Sequence, residues 1–405
     1  MISGKNIVLG VTAGIAAYKS AFLVRLLVKK GANVKVVMTP AAKDFVTPLT
    51  LSTLSNNEVF SSFTDDDPDT NSEKNAQWNN HVALALWADF ILIAPATANT
   101  LAKMASGACD NLLLAVYLSA KCPVYYAPAM DLDMYLHPAT TASFKKLETF
   151  GNIQIPAAHG ELASGLMGQG RMAEPEDIVS FLENDIIEKL PFFGKKILIS
   201  AGPTYEAIDP VRFIGNHSSG KMGYAIADTA AEMGAEVILI SGPVSLKVKH
   251  DSIKVISVTT AEEMFEAAHL HFGNCDIAIL SAAVADFRPE AVALEKIKKT
   301  DDDFILKLTK TKDILASLGS LKKEQYLVGF ALETENEIEN AKSKLKKKNL
   351  DLIVLNSLRD KGAGFGGTNK ITGITKDNKT HLFPVKPKSE VAKDILRLIL
   401  NHFHA

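Results

Sequence analysis

Asn6-Ile-Val-Leu9, the turn Gly10-Val-Thr-Ala-Gly14, a helical stretch from Ile15 to Lys30 and the run Asn33-Val-Lys-Val-Val-Met38 read as strand, turn, helix and strand. Gly31 follows the helix as a C-terminal stop. A strand–helix–strand unit this short implies a parallel sheet covered by helices. More short apolar strands follow at Phe90-Ile-Leu-Ile93 and Pro123-Val-Tyr-Tyr126. The rhythm restarts after Gly194. Lys195-Lys-Ile-Leu-Ile-Ser200 is a strand, Tyr224 to Met233 a helix ended by Gly234, and Glu236-Val-Ile-Leu-Ile240 and Ile277-Ala-Ile-Leu280 further strands. Glu390 to Ile399 reads as a closing amphipathic helix. The two starts share rhythm but little sequence, so they are not a repeat. The expected fold is α/β, with two doubly wound Rossmann-like domains and mainly parallel sheets. The expected division is 1–190 and 191–405, with Pro191-Phe-Phe-Gly194 as the joint. The polar segment Asp65 to Lys74 is expected to be a surface loop.

Bulk properties narrow the function. The 405 residues are 47% hydrophobic and 22% charged, enough apolar content for two buried cores. A formal net charge of −2 argues against a nucleic-acid or polybasic membrane surface. No apolar run reaches the ~18 residues of a membrane helix, and the first strand begins too early for a secretory leader. The three cysteines, Cys109, Cys122 and Cys275, lack metal-ligand spacing. A reduced, cytoplasmic setting is expected.

In the first half, Gly10 to Ala16 follows a strand and opens a helix. Small residues there let backbone N–H groups approach an anionic phosphate; the other reading is simply a close-packed turn. The three-glycine dinucleotide fingerprint is missing, as is a ribose-binding acid, which argues against a dehydrogenase. Ala94-Pro-Ala-Thr-Ala-Asn-Thr100 also sits at a strand end, where open α/β sheets bind ligands; Thr97 or Asn99 would equally serve as a helix N-cap. His81 precedes Val82-Ala-Leu-Ala-Leu-Trp-Ala-Asp89 on a helix entering a strand, and is either structural or catalytic. Gly160 to Met172, with four glycines, reads as a mobile flap.

Taken in order, the His81 helix, Pro95-Ala-Thr-Ala-Asn-Thr100, Pro128-Ala-Met130 and Gly168-Gln-Gly-Arg-Met172 resemble the flavin-dependent cysteine decarboxylases that act on phosphopantothenoylcysteine. The resemblance spans roughly residues 4 to 185. It implies FMN held by Thr12, Ala13, Gly14, Thr39, Thr97 and Asn99, substrate held by Asn99, Met130 and Asp131, and His81 as catalytic base. Asp131 and Ser164 depart from the usual pattern. The family often has Asn at the first position, binding the substrate carboxylate; an ionised Asp131 would repel it. It often has a Cys proton donor at the second. A hydroxyl is a far weaker acid than a thiol, so Ser164 or a water is the candidate donor.

In the second half, Gly202 to Gly223 is the most informative stretch. Gly215-x4-Gly220-Lys221 approaches a P-loop but fails at Met222, where magnesium binding needs a hydroxyl. A glycine- and serine-rich turn before a helix can still bind an anion. Asp286 follows the Ile277–Leu280 strand and suits a base or ribose, or a turn. Lys296-Ile-Lys-Lys299 is either a solvated charge run or a triphosphate clamp, as are Lys344 and Lys348, four apart on one helix face. Gly362 to Gly367 reads as a mobile loop.

Asp209-Pro-Val-Arg212, Asn216 to Gly223, Ser281 to Asp286, Lys296 to Lys299 and Gly329-Phe-Ala331 resemble the bacterial phosphopantothenate–cysteine ligases, over roughly residues 194 to 400. That resemblance implies CTP as co-substrate with Mg2+. It implies contacts from Ser281, Ala282, Asp286, Lys296, Lys312, Asp313, Ile314, Leu315, Phe330, Lys344 and Lys348, and Asn216 acting on an acyl-cytidylate. Together the two halves resemble the bifunctional proteins of coenzyme A biosynthesis. Three other readings compete. One is an active ligase with an impaired or altered decarboxylase half, another a non-catalytic flavin-binding subunit, and the third a dehydrogenase. The expected partners are the small-molecule substrates 4′-phosphopantothenate, cysteine and CTP, with neither nucleic acid nor membrane. The resemblance further implies a homo-oligomer, trimeric through the first domain and dimeric through the second, combining to a dodecamer.

Overall fold

The computed structural model describes residues 2–64, 78–298, 304–333, 335–357 and 366–403. The expected loop at 65–74, Lys299, and most of the 362–367 segment lie outside the described residues. The chain forms two compact units, Met1–Ile187 and Glu188–Ala405.

The first unit runs β1 (Asn6–Val11), a 3-10 turn (Ile15–Tyr18), α1 (Lys19–Lys29), β2 (Asn33–Met38), α2 (Pro48–Ser55), β3 (Val59–Phe60), α3 (His81–Trp87), β4 (Phe90–Ala96), α4 (Ala98–Ser106), α5 (Leu112–Leu118), β5 (Val124–Pro128), α6 (Leu132–Leu136), α7 (Pro138–Thr149), β6 (Ile153–Gln154), β7 (Ala158–Glu161), β8 (Met167–Arg171) and α8 (Pro175–Glu188). Six strands form one parallel sheet in the order β3-β2-β1-β4-β5-β6. Leu9 sits between Val36 and Leu92. Side chains alternate between two buried layers: Ile7 and Leu9 pack on one face with Leu23 and Leu27, Val8 on the other with Ile91 and Leu113. A sheet buried on both faces needs the uninterrupted apolar strands that the sequence displays.

Three details differ from the sequence reading. The helix expected from Ile15 is 3-10 through Tyr18 and α-helical only from Lys19. β1, β4 and β5 run further than expected, so Gly10, Val11 and Ala94–Ala96 belong to strands rather than turns. The glycine-rich flap is an antiparallel hairpin, β7 with β8. Its glycines permit close approach: a Cβ on Gly170 would lie 2.4 Å from the Met130 carbonyl oxygen.

The second unit runs β9 (Lys196–Ala201), β10 (Tyr205–Ala207), β11 (Phe213–Gly215), α9 (Lys221–Glu232), β12 (Glu236–Ser241), β13 (Ile253–Ser257), α10 (Ala261–Phe272), β14 (Ile277–Leu280), β15 (Phe287–Pro289), β16 (Leu308–Lys310), α11 (Ile314–Leu321), β17 (Tyr326–Glu333), α12 (Glu337–Lys347), β18 (Leu352–Ser357), β19 (Thr368–Asn369), β20 (Ile371–Thr375), β21 (Thr380–Leu382), β22 (Lys386–Pro387) and α13 (Lys388–Phe403). Its main sheet has eight strands, β13-β12-β9-β14-β17-β18-β20-β21, parallel through β18 and antiparallel beyond. Hairpins β10–β11 and β15–β16, which the sequence reading did not anticipate, project from the strand ends. β11 ends at Gly215, so the near-P-loop begins on an antiparallel hairpin instead of a sheet strand. In both sheets the strand order reverses beside the first strand, between β1 and β4 and between β9 and β14. Such reversals open a crevice at the strand C-termini, where ligands bind.

Candidate active sites

At the first reversal, Thr12 is fully buried. Its Oγ1 donates to the Pro95 carbonyl (2.7 Å) and accepts from the Thr97 N–H (3.2 Å), tying the end of β1 to the start of α4. Thr97 occupies the N-cap of α4 without a side-chain capping bond. Thr39 N–H bonds the Val11 carbonyl at 2.9 Å, yet its own hydroxyl is buried with no partner. A cavity of about 900 Å³ opens here. Of the expected flavin contacts, Ala13, Gly14, Thr39, Thr97 and Asn99 line it, and Thr12 braces it from beneath. The expected substrate contacts Met130 and Asp131 line it too. Asp131 sits at the N-cap of α6 but accepts no capping bond. The size matches small-molecule sites, which span about 300–1,000 Å³.

Two expected catalytic residues stand apart. Ser164 is exposed at the tip of the β7–β8 hairpin, whereas Ala163 beside it lines the cavity. His81 opens α3, edge-on to Phe63 and Trp78, with its Nδ1 buried and unpaired; it is absent from the cavity lining. Conversely, Lys19, Lys103 and Arg171 line the cavity without having been anticipated. Lys19 is buried, and its ammonium donates to the Met172 carbonyl (3.0 Å) and Glu174 (2.8 Å), the latter shared with Arg171. A lysine in the first turn of a helix following a strand end was the available signal. Lys103 donates to Asp110 at 2.5 Å, which holds that carboxyl below its ordinary range.

At the second reversal the loop 281–286 is threaded by hydroxyls. Ser281 Oγ donates to the Ser200 carbonyl (2.7 Å), the Ala285 N–H to Thr204 Oγ1 (2.9 Å), and Thr311 Oγ1 to the Ala285 carbonyl (2.7 Å). Asn216 Nδ2 donates to the Val284 carbonyl at 2.8 Å, which ties Asn216 to the 281–286 loop. Phe330 lies on β17, whose Gly329 pairs with Leu280 at the end of β14. Gly223 lets α9 start against this loop: a Cβ there would lie 2.8 Å from Ser281 Oγ.

Three of the four expected nucleotide lysines are engaged. Lys312 pairs with Glu262 and covers the Phe265 ring at 4.7 Å, Lys344 pairs with Glu333 at 2.5 Å, and Lys348 with Asp313 at 2.8 Å. Asp313 also caps α11 through the Ala316 N–H, ahead of Ile314 and Leu315. Burial raises its pKa, but the bond from Lys348 and the cap outweigh this, so the carboxyl stays below its ordinary range. Lys296 is exposed and enters through its neighbour Ile297, whose N–H and carbonyl bond Asp209 and Arg212. A cavity of about 550 Å³ beside Tyr224 and Ser241 contains none of the expected nucleotide contacts. Among the described residues no cluster of three or more His, Cys, Asp or Glu side chains could hold a metal ion, and no helix is long and apolar enough to cross a membrane.

Comparison with known proteins covers both units. Residues 1–187 match the flavoprotein family model, and residues 192–403 match the model of the DNA/pantothenate metabolism flavoprotein C-terminal domain. The chain is 46% identical over 402 residues to the coenzyme A biosynthesis bifunctional protein CoaBC of Bacillus subtilis, covering 98% of this chain and 97% of that one. It is 46% identical over 386 residues to the protein of the same name from Vibrio parahaemolyticus, covering 94% of each. A further relative, from an unknown prokaryotic organism, is named cysteine/cysteine sulfinic acid decarboxylase; it is 55% identical over 365 residues, 89% of this chain and 100% of that one. With both family models matched and nearly the whole length aligned to the bifunctional proteins, the chain belongs to the coenzyme A biosynthesis bifunctional protein family.

Proposed function

We propose that residues 191–405 join 4′-phosphopantothenate to cysteine at the expense of CTP, and that residues 1–190 decarboxylate the product with FMN. The observation that carries this reading is the near-full-length likeness to the bifunctional relatives, with a matched family model on each unit.

In the ligase half a substrate carboxylate oxygen bonds to the α-phosphorus of CTP as the α–β anhydride breaks and pyrophosphate leaves. Cysteine's amine then bonds to the acyl carbon, the acyl–phosphate bond breaks, and CMP leaves. Lys296, Lys312, Lys344 and Lys348 offset phosphate charge, which is where such reactions gain most. Asp286 and Phe330 hold the nucleoside. Asn216, fixed by the Val284 carbonyl, donates to the intermediate. Magnesium, if it is used, would be held mainly by the phosphates of the triphosphate and would help offset their charge, as that ion binds through substrate phosphates more than through protein cages.

In the decarboxylase half the residues present suit FMN: a cavity of adequate size, a strand-end turn at Ala13 and Gly14, and a buried Thr39 hydroxyl awaiting a partner. FMN supplies a reversible electron sink that a cysteine carboxylate otherwise lacks. Asn99 and Met130 orient the substrate, and Ser164 or a water returns the proton. His81 is the base. Its place outside its own chain's cavity lining supports a homo-oligomer in which it serves the cavity of another copy. Ile15 and Tyr18, exposed at the cavity edge, and Phe22 on α1 offer an apolar contact face for it. Trimers through this unit and dimers through the other would give a dodecamer. With all three cysteines free of disulfides, a cytoplasmic setting fits.

The test is to incubate the purified protein with 4′-phosphopantothenate, cysteine and CTP and identify products by mass spectrometry. Phosphopantothenoylcysteine, CMP and then 4′-phosphopantetheine are expected. Absence of the amide, or a protein that takes up no FMN, would overturn the corresponding half. A parallel incubation with free cysteine and cysteine sulfinic acid asks whether the chain shares the activity for which its 55%-identical relative is named. Carbon dioxide from those alone would displace the decarboxylase reading.

A further inference from the structure

Asp209 is 2% exposed, and five donors converge on its carboxylate. Oδ1 accepts from the Val211 and Arg212 N–H groups, both at 2.8 Å. Oδ2 accepts from Arg212 Nε (2.8 Å) and Nη2 (2.5 Å), and from the Ile297 N–H at 3.2 Å. The same Arg212 Nη2 donates to the Ile297 carbonyl at 2.7 Å. Nearby, the Ala293 N–H bonds the Ile208 carbonyl at 3.0 Å. The turn between β10 and β11 therefore grips both peptide groups flanking Ile297, the residue immediately after Lys296. The Arg212 guanidinium beside Asp209 holds its carboxyl well below the usual carboxylate range, so this grip is ionised at neutral pH.

Burying a carboxylate is costly unless it is paired and hydrogen-bonded, and here five donors offset that cost, so removing the charge should loosen everything that bonds to it. The grip crosses 88 residues of sequence to a segment with no regular secondary structure. Lys296 in that segment is exposed. The geometry points to Asp209 as a positioning residue that, with Arg212, fixes the Ile297 backbone and so aims the Lys296 ammonium at the phosphates of the nucleotide. Asp209 itself touches no substrate in this assignment. The inference rests on the reading of Lys296 as a phosphate contact. It adds that Lys296 is effective only while the clasp is closed.

The experiment is a double-mutant cycle on the full-length protein, following pyrophosphate release under single-turnover conditions. Asp209→Asn and Lys296→Gln should each slow release by about tenfold or more, since each loses bonds to a charged group. The double variant should be no slower than the slower single variant, because one change has already removed what the other protects. Effects that multiply would overturn the proposal and make Asp209 an independent structural residue. Hydrogen exchange at the Ile297 amide should accelerate in Asp209→Asn while exchange in the β9 core stays unchanged; unaltered Ile297 exchange would also overturn it. The unchanged exchange in the β9 core serves as the control for folding of the second unit. If Asp209→Asn does not fold, Arg212→Lys keeps the charge but cannot span both Asp209 and the Ile297 carbonyl, and must show the same non-additivity with Lys296→Gln. If Lys296→Gln alone leaves pyrophosphate release intact, the ligase role of Lys296 falls and this inference with it. Should Lys296→Gln slow release while Asp209→Asn does not, only this inference falls.

Discussion

The two crevices start from the same topology and finish differently. In the first unit the strand reversal opens into a cavity of about 900 Å³ whose wall contains a buried hydroxyl without a partner. In the second, the expected contacts are distributed over loops, a β-strand and two helices, and three of the four lysines are already paired with carboxylates. The contrast fits the proposed ligands. A resident cofactor is best served by a site built in advance, whose polar groups cost something while they wait. A nucleotide that must arrive, react and leave is better served by cations whose charge is provisionally compensated and can be exchanged.

Four changes test that contrast, beginning with the most damaging. His81→Asn should lower carbon dioxide release by at least about a hundredfold, the usual yield of a positioned base, while amide formation stays normal. Parallel assays of the two products check this; loss of both in a folded protein would mean that the two sites are not independent. Asn216→Asp places a carboxylate where, in the proposed reaction, a neutral amide would meet the intermediate. Use of the acyl-cytidylate by cysteine should slow by roughly a hundredfold, comparable to losing one transition-state donor. Pyrophosphate should still be released and the intermediate should accumulate. If pyrophosphate release stops instead, Asn216 belongs to the first step.

Thr39→Val sharpens the comparison because its two effects have opposite signs. Removing an unpartnered buried hydroxyl should leave the flavin-free protein as stable as before or slightly more so, yet weaken FMN by about tenfold through one lost hydrogen bond. Thermal melting without flavin and a flavin fluorescence titration read the two separately. A large loss of flavin-free stability would show that the hydroxyl is structural. The smallest effect is expected for Glu333→Gln, which frees Lys344. The apparent KM for CTP should fall two- to threefold at low salt and recover at high salt, as for a partly exposed ion pair worth about 0.2–1 kcal/mol. An increased KM would mean that Glu333 orients the lysine and does not compete with phosphate for it.

Much of the architecture was legible in advance. Asn33–Met38 and Ile277–Leu280 are strands with the anticipated ends, and Glu236–Ile240 gains one residue. Of the two N-cap candidates, Thr97 and Asn99, the chain uses Thr97. Elements held by weak local signals were not legible. β3 has two residues, and the β7–β8 hairpin is rich in glycine, so neither carries an apolar period that could be recognised. The turn at Ile15 illustrates the boundary problem: the composition is helical throughout, but whether the first turn is 3-10 or α depends on how it leaves the strand.

What the sequence by itself determined was the pair of doubly wound units and the set of residues near each strand end. Both follow from local chemistry: continuous apolar runs bury in parallel sheets, and small or hydroxylated residues at their C-terminal ends leave room for a ligand. What only the tertiary structure decided was which of those residues meet. His81 falls outside the cavity that Asn99 and Met130 share, the Thr39 hydroxyl is left without a partner, and Asp209 reaches Ile297 far along the chain. Each of these depends on strand order and on contacts between distant segments, and neither leaves a periodic trace in the sequence around the residues concerned.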